Sequence, residues 1–306
     1  MTADQGRNPV GELIAEGAMV AGYADGTAER SPRPLTVIGP PEFSFRMVLT
    51  GVHSLIQYSD LLYALSVFRL RIRYKQSILG WLWAVLQPLA LMGIYTLVFA
   101  HVVKVDTGGI AYPIFVFCGL LPWLFFSSSI SSAVQGIVAY PSLLTKMYFP
   151  REIIPLSYLA ASAVDFCIAS VILAALLIHY RVAPTWNLLY SIPILFMLGG
   201  LTTAVALLCS AVQVRIRDVG LALPFVLQVW IFATPVVYSS QSVPPRFRTL
   251  YLLDPVAGAI ESLRTAVLGR SPDTFTLAAG FAVTMAILLF AYAYFKRSEA
   301  AMADVV

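Results

Sequence analysis

The run Arg69-Leu-Arg-Ile-Arg-Tyr-Lys75 places four cations within seven residues, and then charge disappears. Ile78-Leu-Gly-Trp-Leu-Trp-Ala-Val-Leu-Gln-Pro88 follows, and nothing charged recurs between Gln76 and Val103. A bilayer core is crossed by about 20 apolar residues in a helix. A cationic flank marks the side that stays in the cytoplasm. The chain therefore enters a membrane here, amino end inside.

Composition extends that reading to the whole chain. Of 306 residues, 59% are hydrophobic and 12% charged, against roughly a quarter charged in soluble domains. So much apolar surface points to lipid as the main solvent. The formal charge of +4 is uneven. Residues 1–45 hold Arg7, Arg30 and Arg33 against six acidic residues, a net of −3, which leaves +7 for the remainder. Those cations flank hydrophobic runs, which argues for membrane anchoring and against a nucleic-acid partner.

Residues 1–44 lack a hydrophobic signal segment and read as a disordered cytoplasmic extension, rich in Gly, Ala, Pro and acidic residues. Cys118, Cys167 and Cys209 each sit in an apolar run and read as buried free thiols. Between Ser54 and Ile72, Leu55, Tyr58, Leu62, Leu65 and Ile72 recur at helical spacing, which predicts an amphipathic helix on the cytoplasmic leaflet.

Apolar runs then predict six spans, at about 78–100, 113–138, 156–180, 188–212, 220–237 and 275–295. Counting Lys and Arg near the span ends gives ten inside and six outside if both termini are cytoplasmic. Four of the six outside cations fall in the last external loop, at Arg246, Arg248, Arg264 and Arg270. That loop carries two helix starts of its own. Ser242-Val-Pro-Pro and Asp254-Pro255 each offer a cap followed by proline. Val256, Ile260, Leu263 and Val267 form one apolar face before Gly269 ends it. Two short re-entrant helices between spans five and six are expected, as a cap or as an exit gate.

No G-x-x-x-x-G-K-[ST] occurs, so the chain carries no P-loop of its own. His53, His101 and His179 are isolated from one another and offer no metal site. Asp165 is the one acidic residue well inside an expected span, and a charge at that depth needs a partner or water. The loop Tyr140 to Glu152 holds a short helix with an apolar patch of Leu143, Leu144, Met147 and Tyr148, flanked by Lys146 and Arg151. A soluble partner can grip such a knob. Among many aromatics, Trp123, Phe125, Phe126 and Trp230 are candidates to stack on sugar faces.

Several ordered segments carry a family resemblance. Arg73-Tyr-Lys-Gln-Ser-Ile-Leu-Gly-Trp-Leu-Trp-Ala-Val-Leu-Gln-Pro88 resembles the first-span signature of ABC-2 type permeases that export polysaccharides. Gly119-Leu-Leu-Pro-Trp-Leu-Phe-Phe126 and Leu144-Thr-Lys-Met-Tyr-Phe-Pro-Arg-Glu-Ile-Ile-Pro155 resemble its second span and following loop. Val214-Arg-Ile-Arg-Asp218, Thr234-Pro-Val-Val-Tyr238, Leu253-Asp-Pro-Val256 with Glu261, and the tail Ala303-Asp-Val-Val306 fit its later portion. The resemblance runs from about Phe45 to the end.

It implies an all-α integral membrane protein: six transmembrane helices, an amphipathic interface helix, and short re-entrant helices between spans five and six. It implies a homodimer in the bacterial inner membrane with two separate ATPase subunits, which bind the ATP and Mg; this chain itself needs no cofactor. The cargo is a lipid-linked glycan of the O-antigen, capsule or teichoic acid class. Leu143, Leu144, Lys146, Met147, Tyr148 and Arg151 match the coupling helix that meets the ATPase. Arg69, Arg71, Arg73 and Lys75 fall where headgroups or the carrier's pyrophosphate are met. Arg246, Arg248, Glu261 and Arg264 fall in the exit-gate helices. The alternatives are an ABC-2 exporter of a drug or small lipid, or a proton-driven transporter using Asp165. A membrane-embedded glycan-modifying enzyme is disfavoured, because the spans lack paired carboxylates or histidines at helical spacing.

Overall fold

The computed structural model describes residues 51, 53–75, 77–105, 107–139, 149–239 and 254–305, with side chains described as far as Glu299. The extension 1–44, the loop residues Leu143, Leu144, Lys146, Met147 and Tyr148, and the Ser242 helix with Arg246 and Arg248 lie outside the described residues. Among the described residues, every regular element is helical.

Helix α1, Ser59–Tyr74, carries the amphipathic segment; residues 53–57 ahead of it are helical too, set off by a turn at Tyr58, and the helix runs two residues past Ile72. Leu61, Leu62 and Leu65 of α1, with Leu55 and Tyr58 just before it, pack on a small core of Ile137, Phe149, Ile153, Ile154 and Phe295. The chain then turns at Gly80, whose φ of +50° lies in the left-handed region that glycine enters without cost. Across that turn the Tyr74 and Trp81 rings stack 4.7 Å apart.

Helix α2, Leu82–Tyr95, continues through a π-helical stretch, Thr96–Val102, to make a 21-residue span. Helices α3 (Tyr112–Ala139), α4 (Ile153–His179), α5 (Ser191–Arg215, led in by a 3-10 turn at Trp186–Tyr190) and α8 (Thr274–Val305) are the other long apolar helices. Among the described residues, that makes five helices long and apolar enough to cross a bilayer. The fifth expected span is shorter: α6 covers Asp218–Ala233, 16 residues, and Thr234 is already extended. At 1.5 Å per residue it is about 24 Å long, against a hydrocarbon core of about 30 Å.

Helix α3 is the centre of the bundle, buried over 72% of its apolar stretch where the first span is buried over only 6%. It packs on α4, α5, α2 and α6, while α5 and α8 form the other large contact. Helix α7, Pro255–Val267, lies on α3, α5 and α8. Its expected apolar face is the buried one, with Val256, Ile260, Leu263 and Val267 all inside. Asp254 caps it by accepting from the Val256 amide, Pro255 fills the first turn, and Gly269 follows at φ +81°. Of the three cysteines, Cys118 is buried and Cys209 partly so, but Cys167 is exposed, on a helix long and apolar enough to cross a membrane.

Candidate functional site

Asp165 finds its partner at the head of the first span. Arg73 Nη1 donates to Asp165 Oδ2 in an ion pair, and Tyr74 Oη donates to Asp165 Oδ1 at 2.7 Å. Arg73 Nη2 also reaches Ser132 Oγ of α3 at 3.4 Å. The end of α1 is thus tied to α4 and α3 by one guanidinium and one phenol. Burial, reinforced by the Asp165 carboxylate, pushes the Tyr74 hydroxyl up, so it remains a donor at neutral pH.

The cluster borders a cleft of about 330 Å³ between α2, α3 and α4. Trp83 and Phe125 wall it, and Gln87, Ser128 and Ser162 add polar groups. Ser162 Oγ is buried and has no hydrogen-bond partner among the described residues. On the other side of α2 lies a second cleft of about 360 Å³, with Ser127, Ser131 and Gln228 on its wall. Gln87, Leu124 and Ser128 line both, so the two clefts meet there. Uncharged polar side chains set between spans imply water, a polar cargo or another protein surface beside them.

The remaining cations of the run divide. Arg69 is buried and lies over the Tyr158 ring of α4 at 4.5 Å, so it fastens α1 to the bundle. Arg71 and Lys75 are exposed. The aromatic candidates divide as well. Trp123 and Phe126 are buried and meet the half-buried Trp230 edge-on, at 6.3 and 5.5 Å between ring centroids. Phe125 is half-buried, borders the Arg73 cleft and contacts Phe166.

Two further polar clusters lie near opposite ends of α3. Beside the last turns of α3, Glu152 is 1% exposed and accepts from Lys296 Nζ at 2.8 Å. Lys296 also holds Glu299 at 3.0 Å, and Glu299 accepts from the Arg151 amide at 3.2 Å. The Arg151 guanidinium donates to the Glu299 carbonyl. Residues 151–152, just after the described chain resumes at Phe149, are therefore clasped to α8.

At the start of α3, Arg264 is buried and donates to the Pro235 and Val236 carbonyls at 2.7 and 2.8 Å. It pairs with Glu261 at 3.0 Å and lies 4.0 Å from the Phe115 ring centroid. A Cβ on Gly119 would fall 2.5 Å from its Nη2, so glycine is required there. Tyr112 Oη donates to the Val237 carbonyl, and the Trp230 indole donates to Asp254 at 3.0 Å. Burial pushes the Asp254 carboxyl up, opposed by its hydrogen bonds from Trp230 and Val256.

Sequence reading singled out Arg73 and Asp165 separately and did not join them. The run Ser127–Ser132 reads as side chains that hydrogen-bond across helices, as Ser132 does, but sequence reading missed Tyr74, Ser162 and the Lys296–Glu152 pair. A signal was present: a carboxylate inside a span requires a cation, and the densest cationic run lies where the chain enters the bilayer.

Long apolar helices with polar clefts between them, one bordered by a charged cluster, define a multi-pass membrane protein. The chain belongs to the ABC-2 type transporter family, whose model matches residues 60–268. It is 32% identical over 257 residues to the O-antigen export system permease protein RfbA of Myxococcus xanthus, covering 83% of this chain and 98% of that one. It is 30% identical over 207 residues to the protein of that name from Klebsiella pneumoniae, covering 67% and 79%. The polysialic acid transport protein KpsM of Escherichia coli is 24% identical over 245 residues, covering 78% and 93%.

Proposed function

We propose that this chain is the permease subunit of an ATP-driven exporter that moves a lipid-linked polysaccharide outward across the bacterial inner membrane. The observation that carries the reading is family membership with near-full-length relatives named for O-antigen export. Polar clefts between apolar helices, with a cation at the head of the first span, are what such a cargo requires.

In this reading α6 with the residues after it counts as a sixth, short span, and both termini are cytoplasmic. Two copies of the chain form the path, and two ATPase subunits bind the ATP and Mg. The ATPases grip the loop from Leu143 to Arg151. The clasp from Glu152 and Arg151 to α8 gives that loop a rigid footing at its far end. Arg71 and Lys75, exposed beside Arg73, would meet headgroups or the carrier's diphosphate by charge-assisted hydrogen bonds. Helix α7, fixed by Arg264 and Glu261, would close the far side together with the segment bearing Arg246 and Arg248. Trp230 and Phe125, the less buried of the aromatic candidates, would reach the cargo most readily. Asp165 is engaged by a cation and a phenol, which favours charge balancing over proton transport.

The test is the native mass of the chain co-expressed with the ATPase encoded beside it. A two-plus-two complex, lost when Met147 and Tyr148 are replaced by Asp, is the expected result. A chain that purifies alone and ignores that ATPase would overturn the reading.

A further inference from the structure

Four side-chain ion pairs occur among the described residues; Lys296–Glu299, 15% and 26% exposed, shares its lysine with Lys296–Glu152, and the other three differ in exposure. In the Lys296–Glu152 pair the carboxylate is 1% exposed, and in the Arg264–Glu261 pair the guanidinium is 3% exposed. In the Arg73–Asp165 pair both partners keep access, at 29% and 22%. Only this third pair borders the cleft between α2, α3 and α4. A pair open on both sides can exchange its partner; a sealed one cannot without stranding a charge.

The cleft also holds one buried hydroxyl with nothing to donate to among the described residues. Ser162 Oγ is 1% exposed, lines the cleft and has no hydrogen-bond partner among the described residues. Ser128 and the Gln87 amide lie on the same wall. Tyr74 Oη and both Arg73 nitrogens are already aimed at oxygen atoms. A tetrahedral phosphate offers the acceptors such a set can satisfy, and an arginine fork suits phosphate and carboxylate alike.

We propose that Asp165 is an exchangeable counter-ion: it holds Arg73 while the cleft is empty and yields it to the phosphate of an anionic lipid that enters. The inference rests on the reading of the chain as a permease for a lipid-linked glycan, and it names how that cargo's charged end is received. Asp165 thereby does two things. It keeps Arg73 from standing unpaired at the bilayer edge between transport events, and it sets a threshold that weakly anionic headgroups do not pass. Tyr74 and Ser132 hold the two alternatives in one geometry.

The test is equilibrium binding of radiolabelled farnesyl diphosphate to the permease–ATPase complex in phosphatidylcholine nanodiscs. Asp165→Asn is expected to bind about tenfold more tightly than wild type, as the loss of one competing charged hydrogen bond implies. Arg73→Gln is expected to bind at least tenfold more weakly. The double variant should match Arg73→Gln, since removing the competitor is without effect once the contested cation is gone. Tyr74→Phe and Ser162→Ala should each bind modestly more weakly, in complexes of unchanged native mass.

Unchanged or weaker binding by an intact Asp165→Asn complex would overturn the exchange and leave the proposed function standing. So would tighter binding from Asp165→Asn in the Arg73→Gln background, which would show simple repulsion. Absence of binding by every form, wild type included, overturns the exchange together with the diphosphate cargo. Free pyrophosphate and phosphatidylglycerol serve as competitors. Displacement by farnesyl diphosphate alone assigns the site to the carrier lipid. Equal displacement by free pyrophosphate keeps the exchange and assigns the site to diphosphate in general; equal displacement by phosphatidylglycerol overturns the threshold.

Discussion

Arg264 and Arg73 each pair with a carboxylate beside α3, yet they have opposite surroundings. Arg264 is enclosed: two backbone carbonyls, Glu261 and the Phe115 ring take up its charge, and Gly119 leaves just enough room. Arg73 has one carboxylate, a long contact to Ser132 and an open cleft beside it. The lesson is that an arginine in a membrane protein is structural when backbone closes over it and functional when a cavity does. The enclosed one secures α7 to the end of α6; the open one guards the head of the first span.

The comparison can be broken at several points. Arg264→Met should have the largest effect, about 3–5 kcal/mol of stability, because buried acceptors lose their cation. A large drop in thermal midpoint and in yield of folded protein would register it; a midpoint near wild type would show that the enclosure is not structural. Gly119→Ala should cost about 1–3 kcal/mol, since the added Cβ meets Arg264 and the Val236 carbonyl. Thermal unfolding of the two variants together would sharpen the point. Once Arg264 is Met, the flexible side chain should give way, so Gly119→Ala should cost less in that background. Trp230→Phe removes one hydrogen bond to the helix-capping Asp254 and should cost about 1 kcal/mol. Smallest is Arg73→Gln, whose half-open pair should contribute no more than about 1 kcal/mol to stability. A midpoint shift as large as that of Arg264→Met would erase the distinction between the two sites.

Much of this was legible in the chain. Asp254-Pro255 and Gly269 marked both ends of α7, and the spacing of Val256, Ile260, Leu263 and Val267 gave its buried face. The second, third and fourth spans fall within about three residues of the apolar runs that announced them. Helix α6 was less legible. The apolar run to Val237 continues past the helix, because composition reports affinity for lipid and not helix length. At Pro235 and Val236 the backbone carbonyls go to Arg264 instead of to a further helical turn, a bond set by tertiary packing. The Arg73–Asp165 pair was hidden for a related reason. Its members are 92 residues apart and meet only after α1 packs on α4. Trp123 and Phe126 show the limit for aromatics, since nothing in their spacing tells a ring in the core from one beside a cleft.

The central claim is that the open arginine serves cargo while the enclosed one serves the fold. The most direct measurement is ATP-dependent transport of the lipid-linked glycan by proteoliposomes carrying the permease–ATPase complex, wild type against Arg73→Gln at equal incorporation. The account predicts that the Arg73→Gln complex assembles with wild-type mass and a thermal midpoint close to wild type but loses most of its transport. Transport at the wild-type rate from that complex would contradict it.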